Sequence, residues 1–334
     1  MPALSKFVTT TTQTRLLPAS VDNILNGNVL FTRLLRNATG WRGGTKIDIT
    51  TNLNDITGVG SYFGFDQLAV AQENIREKAS FDPSQYFANV AISGIQTAVN
   101  KGEAGVLDIV TEELNFRTKR LADEMGTDLY LDGTGNNSKA LLGLVAAVDD
   151  STSVTTYGNI SRSNFANWKA TRTAQSGSLS LADLAADFDA AQIGNDIPTI
   201  MVTTPAVFTI YEALLTPTVS HQFSMNDYRM TGEGIARVGG TLAAGQGFRA
   251  LTFRGIPVVA DEKCTAQNLY TLNENHLKFY TIPRGDVGAL KAGFGWTGFR
   301  EGFNQDAVNG LLLWAGQLIS DSPRTMARRT GISS

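Results

Sequence analysis

Side chains that commonly perform acid–base or nucleophilic chemistry are scarce in this chain of 334 residues. It contains two histidines, His221 and His276, and a single cysteine, Cys264, so no internal disulfide can form. The local sequence gives no sign of a base that would activate the thiol, and no His or Cys spacing matches a metal site. We predict a small strand residue at Cys264, a structural role for His221 in a polar loop, and no catalytic, cofactor or metal site.

Two glycine-rich stretches match ligand-binding motifs by their letters alone. GFGWTG at 293–298 matches GxGxxG, but that motif requires a preceding strand and a helix that opens after it. The following FREGFNQ lacks helical apolar spacing. DGTGNN at 132–137 lacks the alternating carboxylates of a calcium loop, so Asp132 is predicted to sit in a plain turn.

Charged residues form two groups. Four carboxylates fall on one predicted helix: Glu112, Glu113, Asp123 and Glu124. We interpret them as a solvated face, with interface salt bridges as the alternative. Three arginines cluster near the C-terminus: Arg324, Arg328 and Arg329. A solvated or inter-subunit role is favoured for them over a nucleic-acid contact, because a net charge of −3 disfavours tight binding of phosphates.

The N-terminal third is predicted to contain an extended arm over 1–20, a short amphipathic helix over 21–36 and a strand that begins near 45. In this strand, Ile47 and Ile49 alternate with polar residues, as on a strand with one solvated face. A glycine-rich segment with three crowded aromatics follows, and a second alternation runs from Tyr86 to Ile92.

The strongest helical pattern spans residues 103–131, where apolar residues recur on one face and Glu113 precedes Arg117 by four positions. A second helix is predicted to begin at Ser180, with Asp183 completing a capping box and Gly194 as its stop. A buried strand over 197–204 leads to a third helix that has Pro205 at its first position and ends before Pro217. These elements predict an α+β domain.

The remaining sequence is predicted to be less regular. Residues 145–178 read as irregular with short strands, and 219–250 as a glycine-rich loop. Further strands are predicted at 254–264, 268–271 and 276–282, and two more flank a turn at Ser320–Pro323. Charged residues make up only 18% of the chain, which suits a surface used for contacts with other subunits and equally suits a secreted protein of low charge. The N-terminus has no apolar core of signal-peptide length, and no apolar run is long enough for a membrane span.

Six segments, in this order, resemble the major capsid proteins of tailed bacteriophages, which share the fold named after phage Hong Kong 97 (HK97). They are LADEMGTDLYLDGTG, ALLGLVAAV, SLADLAADFDAAQ, PTIMVTTPAVFTIYEALL, RGIPVVADEK and GLLLWAGQLISDSPRTMARRTG. The first two segments are similar to the end of the family's spine helix and to the apolar stretch that follows it. The third and fourth are similar to a capped helix and to a strand–proline–helix unit. The last two are similar to later strands of the family. The resemblance extends over nearly the whole chain.

The resemblance implies an α+β, HK97-like fold in five parts. These are an N-terminal arm (1–44), a two-stranded extension called the E-loop (45–93), a peripheral domain with the spine helix (94–144), an axial domain (145–300) and return strands of the peripheral domain (301–334). It implies a non-enzymatic coat protein that assembles as hexamers and pentamers into an icosahedral shell around double-stranded DNA. Assembly would occur in the host bacterial cytoplasm, and the final location would be the virion capsid.

The expected partners follow from the same resemblance. They are other copies of this chain, a portal protein, enclosed DNA without tight or sequence-specific binding, and a cement or decoration protein as a further candidate. Because the chain begins with its arm, a separate scaffolding protein is expected. No membrane or cofactor is implied. Some family members form a Lys–Asn crosslink; Lys46 and Lys78 flank the extension, but no matching Asn is identifiable, so no crosslink is predicted.

Tyr62, Phe63 and Phe65 are predicted to lie near the distal end of the extension and to contact a neighbouring subunit, because aromatics are strong interface anchors. The alternative is ordinary packing within their own domain. Arg15, Glu113 and Arg117 are further candidates for inter-subunit contacts. Glycine-rich loops in the extension and at 232–247 are expected to adjust to different positions in a shell.

Three other functions stay open at this point. An encapsulin, a bacterial compartment built from similar subunits, would enclose protein cargo. An enzyme of unknown class would need a catalytic cluster that the sequence does not suggest. A tail or baseplate protein would assemble into tubes or rings.

Overall fold

A computed structural model of the protein describes residues 28–41, 43–68, 73–95, 109–222, 250–282, 293–301 and 306–333. The predicted arm up to residue 27, the candidate contact residue Arg15 and the segment 232–247 lie outside these ranges. So do the side chains of Glu112 and His221.

The described helices include three long enough to pack along their length and two shorter ones. They are α1 (Val29–Arg36), α2 (Ile109–Asp128), α3 (Leu144–Ala147), α4 (Leu181–Ala191) and α5 (Pro205–Gln222). Single turns of 3₁₀-helix occur at Ala166–Trp168 and Pro323–Thr325. A further turn, Gly135–Ser138, has left-handed φ and ψ at Asn136 and Asn137.

The strands in the N-terminal half are β1 (Thr39–Gly40), β2 (Ile47–Asn52), β3 (Arg76–Phe81), β4 (Ser84–Ser93), β5 (Thr156–Tyr157), β6 (Ile160–Ser161) and β7 (Thr171–Gly177). Those in the C-terminal half are β8 (Ile200–Thr203), β9 (Ala250–Phe253), β10 (Ile256–Ala260), β11 (Leu269–Leu272), β12 (Leu277–Thr281), β13 (Phe294–Trp296), β14 (Arg300–Glu301), β15 (Ala307–Ser320) and β16 (Ala327–Ile332).

The described residues divide into two compact units. The smaller unit comprises 87–95, 109–122, 296–301 and 306–313, and the larger unit comprises the rest. Helix α2 and strands β4, β13 and β15 contribute residues to both.

A mixed six-stranded sheet, which we call the mixed sheet, forms the centre of the larger unit in the order β7-β16-β11-β8-β10-β9. Helices α4 and α5 cover its apolar side chains, and their contacts make one core cluster: Leu179, Leu184, Phe188, Met201, Val207, Phe208, Tyr211, Ile256, Val258, Leu269 and Ile332. Helix α4 begins as the sequence predicts, because Ser180 and Asp183 form a reciprocal capping box.

A second sheet has β15 as its longest strand, with β12, β13, β14 and β4 as its partners and β1 beside β12. Within the larger unit, helix α1 packs on this sheet through Phe31, whose ring meets that of Phe279 edge to face at 5.7 Å. Phe279 in turn packs against Trp314 at 6.0 Å. Asn28 caps α1 by accepting a hydrogen bond from the Phe31 N–H.

The structure corrects the predicted end of α5 and the predicted exposure of two arginines. Helix α5 continues through Pro217 to Gln222, which places the backbone of His221 in a helix and not in the predicted loop. An interior proline removes one helical hydrogen bond and crowds the preceding turn, so the helix forms here against the local preference of Pro217. Arg328 and Arg329, predicted to be solvated or inter-subunit, are only 7% and 3% exposed. They lie on β16, which is an inner strand of the mixed sheet. Arg324 is exposed, as the sequence indicates.

The buried guanidinium of Arg329 is paired with carboxylates of α4. Its Nε donates to Asp187 Oδ2 at 2.7 Å, and its Nη1 donates to Asp183 Oδ1 at 3.1 Å. Burial raises the pKa of Asp187, against the opposing effect of Arg329. The hydrogen bonds from Ser180 are the main reason that the pKa of Asp183 is lowered. This network joins α4 to the sheet beneath it.

Candidate assembly surface

The two-stranded part of the predicted extension (45–93) spans Ile47–Phe81 in the larger unit, and we use the name extension for this part from here on. Strands β2 and β3 pair antiparallel over six residues, from Ile47 opposite Phe81 to Asn52 opposite Arg76. The connection between them runs from 53 to 75, which is far longer than a hairpin turn. The next strand, Ser84–Ser93, pairs with β15 in the second sheet.

The root of the extension is packed. Ile47, Ala79 and Phe81 are buried, and the Phe81 ring meets that of Tyr157 edge to face at 5.0 Å. The Ser80 N–H donates to the Gly158 carbonyl at 2.9 Å. Gly158 has φ +59°, and a Cβ at this position would lie 2.6 Å from the Phe81 ring, so glycine permits this close approach.

The root is also hydrogen-bonded to two other loops. Asn167 Nδ2 donates to the Leu53 carbonyl at 2.9 Å, while its Oδ1 accepts from Arg324 Nη1 at 2.9 Å. Thr51 Oγ1 lies 3.5 Å from the Asp321 carbonyl, at the outer limit of a hydrogen bond. The extension therefore leaves the larger unit from a defined base.

Beyond the root, the connection holds its shape by local hydrogen bonds. The Thr57 N–H and hydroxyl both donate to the Glu73 carboxylate, and this bonding lowers the Glu73 pKa. The Phe63 N–H donates to Asp66 Oδ2 at 2.9 Å and closes a turn around Gly64, where φ is +60°. These contacts order the backbone without burying the side chains.

Six large apolar side chains on this connection are exposed to solvent, and we call them the apolar tip. They are Ile56, Val59, Tyr62, Phe63, Phe65 and Leu68. Phe63 is 88% exposed, and Phe65 is exposed over its whole surface. Large apolar patches left exposed on a folded protein commonly mark surfaces that bind another molecule.

The charge around the tip is of one sign. Residues 53–75 include Asp55, Asp66 and Glu73, and they contain no Lys or Arg. A surface of this composition does not suit phosphate binding, which depends on Lys and Arg. It suits a protein partner that offers apolar area and donors or cations at the rim.

The predicted contact residues are therefore found in two places. Tyr62, Phe63 and Phe65 lie together in the apolar tip, and their exposure contradicts the alternative of packing within their own domain. Glu113 and Arg117 lie on α2 in the smaller unit, where they form the expected i,i+4 ion pair at 3.3 Å. Sequence reasoning did not single out Ile56, Val59 and Leu68, although their place in the same segment could have indicated them.

The side chains with the potential for chemical reactivity have structural roles. Cys264 is buried in a turn after β10, not within a strand, and burial raises the pKa of its thiol, which disfavours the nucleophilic thiolate. Asp132 Oδ1 accepts hydrogen bonds from the Thr134 N–H and hydroxyl, as in a turn. Asp123 is not solvated as predicted, because its carboxylate pairs with Lys263 at 2.8 Å.

Within the described residues, no group of three or more His, Cys, Asp or Glu side chains is placed to hold a metal ion. None of the helices that the structure describes is both long and apolar enough to cross a bilayer.

The comparison with solved structures identifies the fold. No protein-family model matches the sequence, and no curated protein matches it either. Solved structures do match over the whole chain. The capsid asymmetric unit of cyanophage A-1(L) is similar with a TM-score of 0.67 and 17% identity, over 98% of each chain.

Two further structures widen the comparison. The capsid of a native GTA particle has a TM-score of 0.61 and 12% identity, over 99% of this chain and 100% of that one. The SrpI encapsulin of Synechococcus elongatus has a TM-score of 0.60 and 10% identity, over 99% of this chain and 96% of that one. The chain has the α+β, HK97-like capsid fold.

Proposed function

We propose that this chain is the major capsid protein of a tailed bacteriophage and that many copies close into an icosahedral shell around double-stranded DNA. The observation that carries the proposal is the extension, which presents an exposed apolar tip from an ordered base. The fold shared with the cyanophage capsid over nearly all of both chains supports it.

The tip would act as the anchor between neighbouring copies. Six exposed apolar side chains are a liability on an isolated subunit, and covering them with a second copy contributes free energy roughly in proportion to the area buried. Because every subunit both presents a tip and covers one, the contact repeats around a closed shell. Hexamers and pentamers of one chain are the expected building blocks.

The shell would enclose the DNA without binding it tightly. The chain carries a net charge of −3, and two of the three C-terminal arginines are buried in the mixed sheet. Few phosphates could therefore be neutralised by this region. A scaffolding protein and a portal protein are the further partners that a shell of this type would use.

The test is to size the purified chain, alone and with co-expressed scaffolding protein, and to image it by negative-stain electron microscopy. Closed uniform particles tens of nanometres across are expected. Small discrete oligomers under all conditions would contradict the proposal and return an enzyme or binding module to consideration.

A deletion variant tests whether the apolar tip is needed for assembly. Deleting residues 56–64 should leave a folded subunit that fails to form stable shells, because this removes most of the apolar tip. Shells of normal stability from the deletion variant would show that the tip does not hold them together.

An encapsulin-type compartment is the second candidate, and the similarity to the SrpI encapsulin over 99% of this chain favours it. The contents of the particles distinguish the two functions. Nucleic acid protected from added nuclease supports the capsid, whereas a single copurifying protein cargo without nucleic acid supports the compartment.

A further inference from the structure

His276 lies between two carboxylates that come from different loops of the larger unit. Its Nδ1 is 2.7 Å from Asp321 Oδ1, directly after β15, and its Nε2 is 2.6 Å from Asp196 Oδ2, in the turn between α4 and β8. The imidazole thus joins three segments that are distant in sequence.

Both carboxylates are held in place by other bonds. Asp196 exchanges two backbone hydrogen bonds with Ile193, and its Oδ1 accepts from Asn273 Nδ2 at 2.8 Å. The Asp321 N–H donates to the His276 carbonyl at 3.2 Å. These bonds hold the Asp196 carboxylate and the backbone of Asp321 beside the ring.

This geometry suits the doubly protonated imidazolium. A neutral imidazole carries one N–H and can donate to one carboxylate only, whereas the imidazolium donates to both. Burial lowers the pKa of His276, but the hydrogen bonds and charges of Asp321 and Asp196 outweigh it and raise the pKa above its ordinary value of about 6.5.

Two other ionisable side chains, Glu274 and Tyr280, lie close to His276 in the sequence. The carboxylate of Glu274, two residues before His276, accepts hydrogen bonds from Arg33 Nε at 2.9 Å and from the Thr199 hydroxyl. On β12, burial and the charge of Asp321 raise the pKa of Tyr280, so this phenol stays neutral throughout the range in which His276 titrates. His276 is the group whose charge changes near neutral pH.

The turn that carries Asp321 is part of the base of the extension. The Asp321 carbonyl faces Thr51, and Arg324 holds Asn167, which in turn donates to the Leu53 carbonyl. Loosening of this turn would therefore weaken hydrogen bonds at the root of the extension.

We propose that His276 is a proton-operated link that fastens the turn 321–324, and through it the root of the extension, at mildly acidic pH and releases it at alkaline pH. Since the folded state raises the affinity of His276 for its proton, the stabilisation is full below about pH 6.5 and is lost as pH rises through the higher folded value. The inference concerns the single subunit and does not depend on the proposed function.

Hydrogen–deuterium exchange of the unassembled full-length chain tests the link at about pH 6 and about pH 9, with labelling times scaled for intrinsic exchange. We expect protection of peptides covering 47–53 and 321–325 to fall at least about threefold between these conditions. His276→Gln should show the low protection at both. Arg33→Gln, which breaks the neighbouring Arg33–Glu274 ion pair and leaves His276 in place, should keep the pH dependence.

Equal protection of the wild-type peptides at both pH values would overturn the proposal, as would an unchanged pH dependence in His276→Gln. Asp196→Asn provides a second variant that keeps an acceptor but removes a charge. In this variant, the pH at the midpoint of the loss of protection should be lower by about half a unit or more. An unmoved transition would contradict the link even if His276→Gln did not fold.

Discussion

The mixed sheet and the apolar tip use the same kinds of side chain in opposite surroundings. In the sheet, Met201, Val258 and Leu269 are buried under α4 and α5. In the tip, Phe63 and Phe65 are exposed almost completely. Since apolar burial is the main favourable term in folding, the sheet accounts for the stability of the subunit. The tip contributes little until a partner covers it, and the comparison therefore separates folding from assembly.

The charged pairs divide in the same way. Arg329 and Asp187 are buried together, so each depends on the other for compensation. On the extension, Lys78 pairs with Asp48 and Lys46 with Asp82, and all four side chains are well exposed. If one partner is removed, water can solvate the remaining charge of an exposed pair such as Lys78–Asp48. It cannot do so for the buried pair of Arg329 and Asp187.

The largest effect on subunit stability is expected for Arg329→Met. The change leaves Asp187 buried without its partner, which should lower the free energy of unfolding by about 3–5 kcal/mol. Urea titration of the unassembled chain, followed by tryptophan fluorescence, measures this. The exposed Arg36→Gln, which also removes one positive charge, is the control and should change it by less than about 0.5 kcal/mol. A loss below about 1 kcal/mol for Arg329→Met would mean that the buried network is not what holds α4.

An intermediate effect is expected for Gly158→Ala, beside the root of the extension. The new Cβ would meet the Phe81 ring and would force a left-handed φ on alanine, for a combined loss of about 2–3 kcal/mol. Gly194→Ala is the matched control, because Gly194 has φ +58° with nothing within 4 Å of its Cβ position. It should lose only about 1 kcal/mol. Equal losses for the two variants would show that packing against the extension adds nothing at Gly158.

The smallest effect is expected for Lys78→Ala on strand β3. Its ion pair with Asp48 is exposed, so the urea midpoint should stay the same within error at low and at high salt. A clear loss of stability that Lys78→Arg restores would show that the strands of the extension depend on this pair.

Local features of the fold could be predicted from the sequence because they depend on neighbouring residues. The capping box of Ser180 and Asp183 fixes the start of α4, and Arg254–Gly255 turns the chain into β10 as expected. The ion pair of Glu113 and Arg117 depends only on helical spacing.

Features that depend on pairing between distant segments could not be predicted. Arg329 looked like a surface residue because the sequence does not state that β16 lies between β7 and β11. The partner of β2 begins 24 residues after the end of β2, so no hairpin signal marked it. The pairing of His276 with Asp196 and Asp321 could not be predicted, since these residues approach one another only in the folded chain.

The candidate contact surface was predicted in part. The aromatics of the tip were identified from their crowding beside glycines, whereas their exposure could be seen only in the structure. Ile56, Val59 and Leu68 were missed because they are spread among polar residues and have no helical or strand period.

The central claim is that the apolar tip is needed for assembly and not for folding, and one triple variant tests it directly. We would compare the wild-type chain with Tyr62→Ser/Phe63→Ser/Phe65→Ser, and with the control Asp55→Ser/Gln67→Ser, by sedimentation velocity under assembly conditions and by urea titration.

The account predicts that the triple variant unfolds within about 0.5 kcal/mol of the wild type while the fraction of mass in shells falls at least about tenfold, and that the control assembles normally. Normal shells from the triple variant, or a subunit destabilised by several kcal/mol, would contradict it.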